Sequence, residues 1–210
     1  LDGDPISATL ERLKSITKHR VGLIAIFRGK HPQVIVQRAS ELVRNGINAI
    51  EITLDSQDAF FTLSLLRASL PPDVLIGVGT VTDPASQLPL ARSLGATFCL
   101  APNNPENMIE VAEQLDMLAI PGASNIHQVE KLVHIGARAI KLFHTIHDWN
   151  YESLKNIRNK YPNECLIPVG GLGLSDVKNL AELGFELLGL GENLVGSDLK
   201  QDVIMDWSIQ

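Results

Sequence analysis

Two ionisable residues of this chain sit where their neighbours would exclude water. Lys141 stands inside the run Ala139-Ile140-Lys141-Leu142-Phe143, and Glu51 lies between Ile50 and Ile52. A buried ammonium is costly, so its pKa should fall, and a neutral amine is a nucleophile toward carbonyl carbon. The plainer reading is a lysine whose stem is buried and whose head reaches solvent at a strand end. Glu51 is either a general acid/base or the counter-ion of Lys141 or Arg28. Together the two suggest a Schiff-base lysine beside a proton shuttle. Arg28, just past another apolar run, is either a fork for a substrate carboxylate or a surface arginine.

Glycines supply a second kind of chemistry. Gly170-Gly171 and Gly189-Leu190-Gly191 each follow or end an apolar run. Backbone N–H groups exposed there would suit a phosphate, while tight turns are their simpler use. His144, His147 and Asp148 have a spacing that suggests metal ligands, but a loop is the expected setting and no metal is expected. His19, His31, His127 and His134 fall in helical or loop settings and should face solvent. Aromatic residues make up 5% of the chain, too few for a base-stacking platform.

These residues need elements to position them. Short apolar runs occur at 21–27, 49–54, 74–78, 97–101, 117–120, 137–143, 165–169 and 187–190. None alternates apolar with polar, so burial on both faces is implied, as in parallel strands covered by helices. Helical patterns fill the gaps at 32–45, 56–69, 83–94, 105–115, 127–135, 151–160 and 175–183, with a leading helix at 5–18. Their punctuation is Pro at the start and Gly, or Pro just beyond, at the end. Eight strand–helix units favour a (β/α)8 TIM barrel with an additional N-terminal helix over an open doubly wound sheet. The open fold would usually carry a glycine-rich loop after the first strand, whereas this chain has Arg28-Gly29-Lys30-His31-Pro32.

In such a barrel functional groups gather at the C-terminal ends of the strands. That rule selects Arg28, Glu51, Gly77, Gly79 and Thr80, Pro102, Asn103 and Asn104, Pro121 and Gly122, Lys141 and His144, Gly170 and Gly171, and Gly189, Gly191 and Glu192 as strand-end candidates.

The 210 residues suit one domain, 1–210, with a full hydrophobic core. Apolar residues are 45% and charged residues 20%, which argues against disorder. Net charge is −6 and no Lys/Arg run occurs, so nucleic acid and anionic membrane are poor partners. No apolar run has the length of a membrane span, and the N-terminal residues do not read as a signal peptide. Cys99 and Cys165 lie in apolar runs and should be core thiols, consistent with a cytoplasmic setting.

The chain resembles the 2-keto-3-deoxy-6-phosphogluconate (KDPG) aldolase family, with its 6-phosphogalactonate and 4-hydroxy-2-oxoglutarate relatives. The blocks that carry the resemblance are LIAIFRG, AIEITLDS, IGVGTVTDP, CLAPNNPE, IPGASN, AIKLF, IPVGGL and LGLGENLV, in order from residue 23 to residue 195. The resemblance implies a class I aldolase that needs neither metal nor organic cofactor. Lys141 would form the Schiff base with a 2-keto acid, and Glu51 would move protons. Arg28 and Thr80 would hold the keto-acid end, and Phe143 would wall the pocket. Cleavage would give pyruvate and an aldehyde, and the family implies a homotrimer.

Three positions depart from the family pattern. His144 stands where Pro is usual, Glu192 where Ser is common, and Asp55 where some relatives carry a cation. A carboxylate facing a phosphate is repulsive unless it turns away or a cation intervenes. Either the aldehyde portion is unphosphorylated or differently charged, or phosphate is held chiefly by the Gly170-Gly171 amides. Decarboxylation of oxaloacetate by the same lysine is a second enzymatic reading. A barrel without turnover, acting as a binding protein, is the reading from another class.

Overall fold

Every apolar run becomes a strand that is almost wholly buried. The computed structural model describes residues 3–14 and 21–196, apart from the side chains of Ile146 and His147. The elements are α1 (Pro5–Leu13), β1 (Gly22–Phe27), α2 (Pro32–Arg44), β2 (Ala49–Thr53), α3 (Ala59–Ser69), β3 (Leu75–Gly79) and α4 (Pro84–Ser93). They continue with β4 (Phe98–Leu100), α5 (Met108–Gln114), β5 (Leu118–Ile120), β6 (Gly122–Ala123), α6 (Ile126–His134), β7 (Ala139–Leu142) and α7 (Thr145–Asp148). The last are α8 (Tyr151–Lys160), β8 (Cys165–Pro168), α9 (Leu174–Glu182), β9 (Leu187–Leu190) and α10 (Glu192–Val195).

All pairings are parallel. One sheet has the order β5-β4-β3-β2-β1-β9, and a second has β6-β7-β8. A bridge between Val169 and Gly189 links the end of β8 to β9. The fifth expected strand is β5, and past Pro121, which has no N–H for a ladder, the chain forms the further short strand β6. Its carbonyl still accepts from Lys141 N at 2.9 Å. The molecule is an α/β fold built on a curled parallel sheet.

Two apolar clusters follow from the period-2 alternation of strand side chains. One lies between strands and helices. The other gathers Ile24, Ala49, Leu75, Phe98, Leu118, Ala139, Ile167 and Leu187 in the interior that the curled strands face, with Ile6 and Leu13 of α1 packed onto it. Side chains two residues further along each strand share that inward parity. They are Ile26, Glu51, Gly77, Leu100, Ile120, Lys141, Val169 and Gly189.

Side-chain caps start several helices. Asp4 accepts from Ile6 N, Asp83 from Ser86 N, Asn125 from Gln128 N and Asn150 from Ser153 N. Gly136 follows α6 with φ +79°, a left-handed value that glycine adopts without strain. Helix α3 begins at Ala59, three residues later than the pattern at 56–69 suggests. Ser56 is engaged elsewhere, because its Oγ accepts from Gly29 N at 2.8 Å and contacts Thr53 Oγ1 at 2.9 Å. The segment after Phe143, expected as a loop, contains the helical turn α7, and His144 N donates to Asp148 Oδ2 at 3.0 Å. Residues 15–18 of the expected leading helix, and His19, lie outside the described residues.

Candidate active site

Glu51 and Lys141 enter the same interior from opposite parts of the strand order. In β2, Glu51 pairs with Ile26 and Gly77; in β7, Lys141 pairs with Gly122 and Ile167. Glu51 is 1% exposed and Lys141 is 5% exposed. The stem-buried, head-in-solvent alternative for Lys141 does not fit that burial.

Burial is the largest influence on both groups. It raises the Glu51 pKa, and the positive charges of Lys141 and Arg28 partly oppose the rise. It lowers the Lys141 pKa, with Glu51 opposing and Arg28 reinforcing the fall. The two groups are therefore each other's leading electrostatic partner inside one apolar enclosure. Glu51 Oε2 is buried without a hydrogen-bond partner, which leaves an acceptor available to a reacting group. Lys141 Nζ lies 4.3 Å from the centroid of the Phe143 ring.

Two glycines make room for this pair. A Cβ at Gly79 would collide with Glu51 Oε1, and a Cβ at Gly122 would collide with the carbonyl of Pro102. Gly122 N also donates to Asn103 O at 2.7 Å, which seats the 102–103 segment beside the ladder partner of Lys141. The strand-end rule reaches both glycines but not their role, since that role depends on a neighbour distant in sequence.

Arg28 is set by two groups from other strand ends. Its Nη1 pairs with Asp55 Oδ2, and its Nη2 donates to Thr80 Oγ1 at 3.0 Å. Thr80 sits at φ +56°, a left-handed conformation that costs a β-branched residue of order 1–3 kcal/mol. Asp55 thus orients the arginine rather than facing substrate as a misplaced charge. Five guanidinium N–H groups leave donors beyond these two bonds.

On the far side of the interior, Gly170 and Gly171 have φ +108° and +74°. The bridge that pairs Val169 with Gly189 turns the Gly170 amide toward β9, whereas the Gly171 amide donates no hydrogen bond among the described residues. Asn193 Nδ2 donates to Gly171 O at 3.2 Å and to Leu172 O at 3.1 Å, docking α10 onto this turn. Gly191 has nothing within 4 Å of where a Cβ would stand. Glu192 is bound through both carboxylate oxygens to Lys30 Nζ, each at 3.0 Å. A cation therefore does intervene at the position where the sequence placed an unexplained acid.

Thr145 anchors the segment after Lys141. Its buried hydroxyl donates to Leu142 O at 2.9 Å and accepts from Val169 N at 2.8 Å, tying β7 to the end of β8. His144 is engaged with Asp148, its Nδ1 lying 3.8 Å from Oδ2. The His147 side chain lies outside the described residues. His31, His127 and His134 are exposed. Cys99 and Cys165 are buried free thiols, both pushed up to about 12 by burial. Among the described residues no helix is long and apolar enough to cross a membrane.

Comparison with known proteins gives a consistent result. The family model described as "KDPG and KHG aldolase" matches residues 14–207. A 2-dehydro-3-deoxy-phosphogluconate aldolase of Haemophilus influenzae is 32% identical over 145 residues, 69% of this chain and 68% of that protein. A 2-dehydro-3-deoxy-6-phosphogalactonate aldolase of Escherichia coli K12 is 26% identical over 176 residues, 83% of this chain and 85% of that protein. Among solved structures, a KDPG aldolase from Legionella pneumophila with pyruvate captured as a covalent carbinolamine superposes with a TM-score of 0.78 at 23% identity. That alignment covers 89% of this chain and 93% of the other, and it speaks to the fold.

Proposed function

The chain belongs to the KDPG and KHG aldolase family, and from that premise we propose how its own residues carry out the reaction. It is an aldehyde-lyase that cleaves a 2-keto-3-deoxy sugar acid, 6-phosphorylated, or 4-hydroxy-2-oxoglutarate, to pyruvate and an aldehyde. The observation that carries the reading is the burial of Lys141 and Glu51 in one interior, at inward-facing positions of β7 and β2.

In this reading neutral Lys141 Nζ adds to the C2 carbonyl of the substrate, and loss of water leaves an iminium. Glu51 takes the proton of the C4 hydroxyl. The C3–C4 bond breaks, its electron pair enters the iminium to give an enamine, and the aldehyde departs. Glu51 returns the proton to C3, and water releases pyruvate and the free amine. Burial serves both steps: it lowers the Lys141 pKa toward the nucleophilic form and raises the Glu51 pKa toward a shuttle that both takes and gives a proton.

Arg28 and Thr80, already hydrogen-bonded to each other, are assigned to the keto-acid carboxylate. Phe143, its ring beside Lys141 Nζ, and Pro102 wall the pocket. Gly170, Gly171, Gly191 and Glu192 form the end that meets the aldehyde portion. The scaffold is read as a single (β/α)8 barrel domain spanning 1–210, closed through the β5–β6 segment and the Val169–Gly189 bridge, and preceded by α1. A homotrimer and a cytoplasmic setting complete the reading. No metal or organic cofactor takes part in it.

Borohydride reduction in the presence of pyruvate tests the chemistry. A mass increase of one reduced pyruvate, mapped to Lys141, is expected. An unmodified chain would reject the Schiff-base assignment and favour a barrel without turnover.

A further inference from the structure

The Lys30–Glu192 pair has a geometry that the lysine chemistry does not use. Lys30 comes from the turn after β1, and Glu192 is the first residue of α10 after β9, so the pair spans the seam between these neighbouring strands. Lys30 Nζ is 3.0 Å from both oxygens of Glu192, the two-oxygen contact that any oxyanion presents. The lysine side chain is 25% exposed and the glutamate side chain 71%, so the carboxylate is the partner free to leave. Lys30 is also placed by its stem, which lines a cavity of about 480 Å³ with Val34, Arg38 and Val195.

The surroundings point to an anion. Asn193 holds α10 against Gly171, which brings Glu192 next to a turn whose Gly171 amide has no partner among the described residues. One unpaired N–H group and one cation bound to an exposed carboxylate make a set of donors with a removable occupant. The position fits the far end of a substrate. Gly170 lies three residues beyond Ile167, the ladder partner of Lys141, or about 10 Å at 3.3 Å per residue. That reach suits the phosphate of a six-carbon acid bonded to Lys141 through C2 better than the carboxylate of a shorter diacid.

We propose that Lys30 is the specificity residue that receives the distal phosphate of the substrate, and that Glu192 holds Lys30 in place until the phosphate displaces it. The inference rests on the aldolase reading above. It explains how an acid can occupy the mouth of a site for an anionic substrate without opposing it. Glu192 is an internal stand-in whose loss from Lys30 is repaid in kind, since one oxyanion replaces another.

The test compares kcat/KM for a 2-keto-3-deoxy-6-phospho acid, its unphosphorylated counterpart and 4-hydroxy-2-oxoglutarate in three variants. Lys30→Met should lower the ratio of phosphorylated to unphosphorylated kcat/KM at least tenfold. Glu192→Gln should hold that ratio or raise it severalfold, because the competitor has gone. The double variant should behave like Lys30→Met. An unchanged ratio in Lys30→Met overturns the assignment. So does a double variant that recovers the ratio, since Glu192 repulsion would then be the determinant. A loss that falls only on 4-hydroxy-2-oxoglutarate would make the distal group a carboxylate and overturn the phosphate assignment. Borohydride trapping with pyruvate, which has no distal group, is run alongside. No adduct in the wild type would bring down the aldolase reading and this inference together, whereas an adduct with an unchanged ratio rejects only Lys30.

Discussion

A lysine and a carboxylate placed out of water give opposite titration behaviour, and both directions are measurable. The Lys141 pKa is lowered by burial and partly restored by the Glu51 charge. Glu51→Gln removes that restoring charge, so the acid limb of pyruvate adduct formation should move to lower pH. An unchanged or higher limb would mean that the two groups are not coupled. Turnover in the same variant should drop by about 10²–10⁴, the usual contribution of a positioned general acid/base. Stability gives an independent check. Because the folded pKa of Glu51 is raised, its contribution to stability is full below the ordinary carboxylate pKa and is lost as pH rises through the folded value. Denaturation curves should therefore show Glu51→Gln gaining on the wild type with rising pH, by at most about 1.4 kcal/mol per unit inside that window.

Strand ends hold these groups through contacts that no local pattern encodes. The backbone of β3 passes so close to the Glu51 carboxylate that Gly79→Ala has to displace it. Since the obstructing atom ends a long side chain, the fold should survive. A misplaced reacting group of this kind costs on the order of 10² in rate, and circular dichroism together with kcat would separate the two effects. Between β7 and β8, Thr145→Val would remove both side-chain bonds of the hydroxyl while the Val169 N to Leu142 O bond at 3.0 Å remains. The expected cost is about 0.5–1.5 kcal/mol of stability for each bond lost, read from denaturant midpoints. The residues of α2, α4 and α8 were legible within a residue or so from Pro starts and polar caps. The start of α3 was not, because Ser56 is drawn into bonds with Gly29 and Thr53, nor was that of α5, which begins at Met108 after Asn107 at φ +57°.

For the molecule as a whole, the junction of β8 with β9 is paired more thinly than the middle of the six-stranded sheet. β2 and β3 share five registered pairs, whereas β8 meets β9 through the Val169–Gly189 bridge. Gly189 permits that approach by leaving room for Val169 and Ile26, whose nearest atoms stand 2.8 Å and 3.0 Å from where its Cβ would be. Amide hydrogen exchange should accordingly be faster at residues 170–171 and 189–191 than along β2 and β3. Equal protection would show that packing, not strand pairing, sets local stability there. Light scattering should return three times the chain mass if the homotrimer is correct.

The sequence by itself determined the element order, because continuous apolar runs separated by capped helical patterns admit few arrangements other than a parallel α/β fold. It also singled out Lys141 and Glu51, since a charge between Ile and Leu neighbours is anomalous wherever the chain goes. Only the tertiary structure decided that both point inward and influence each other, that Asp55 steers Arg28, that Gly79 and Gly122 are clearances for other residues, and that Glu192 is matched by Lys30. Each of these depends on which strand ends become neighbours. Lys30 and Glu192 are separated by 162 positions along the chain, and only the curl of the sheet brings their charges together.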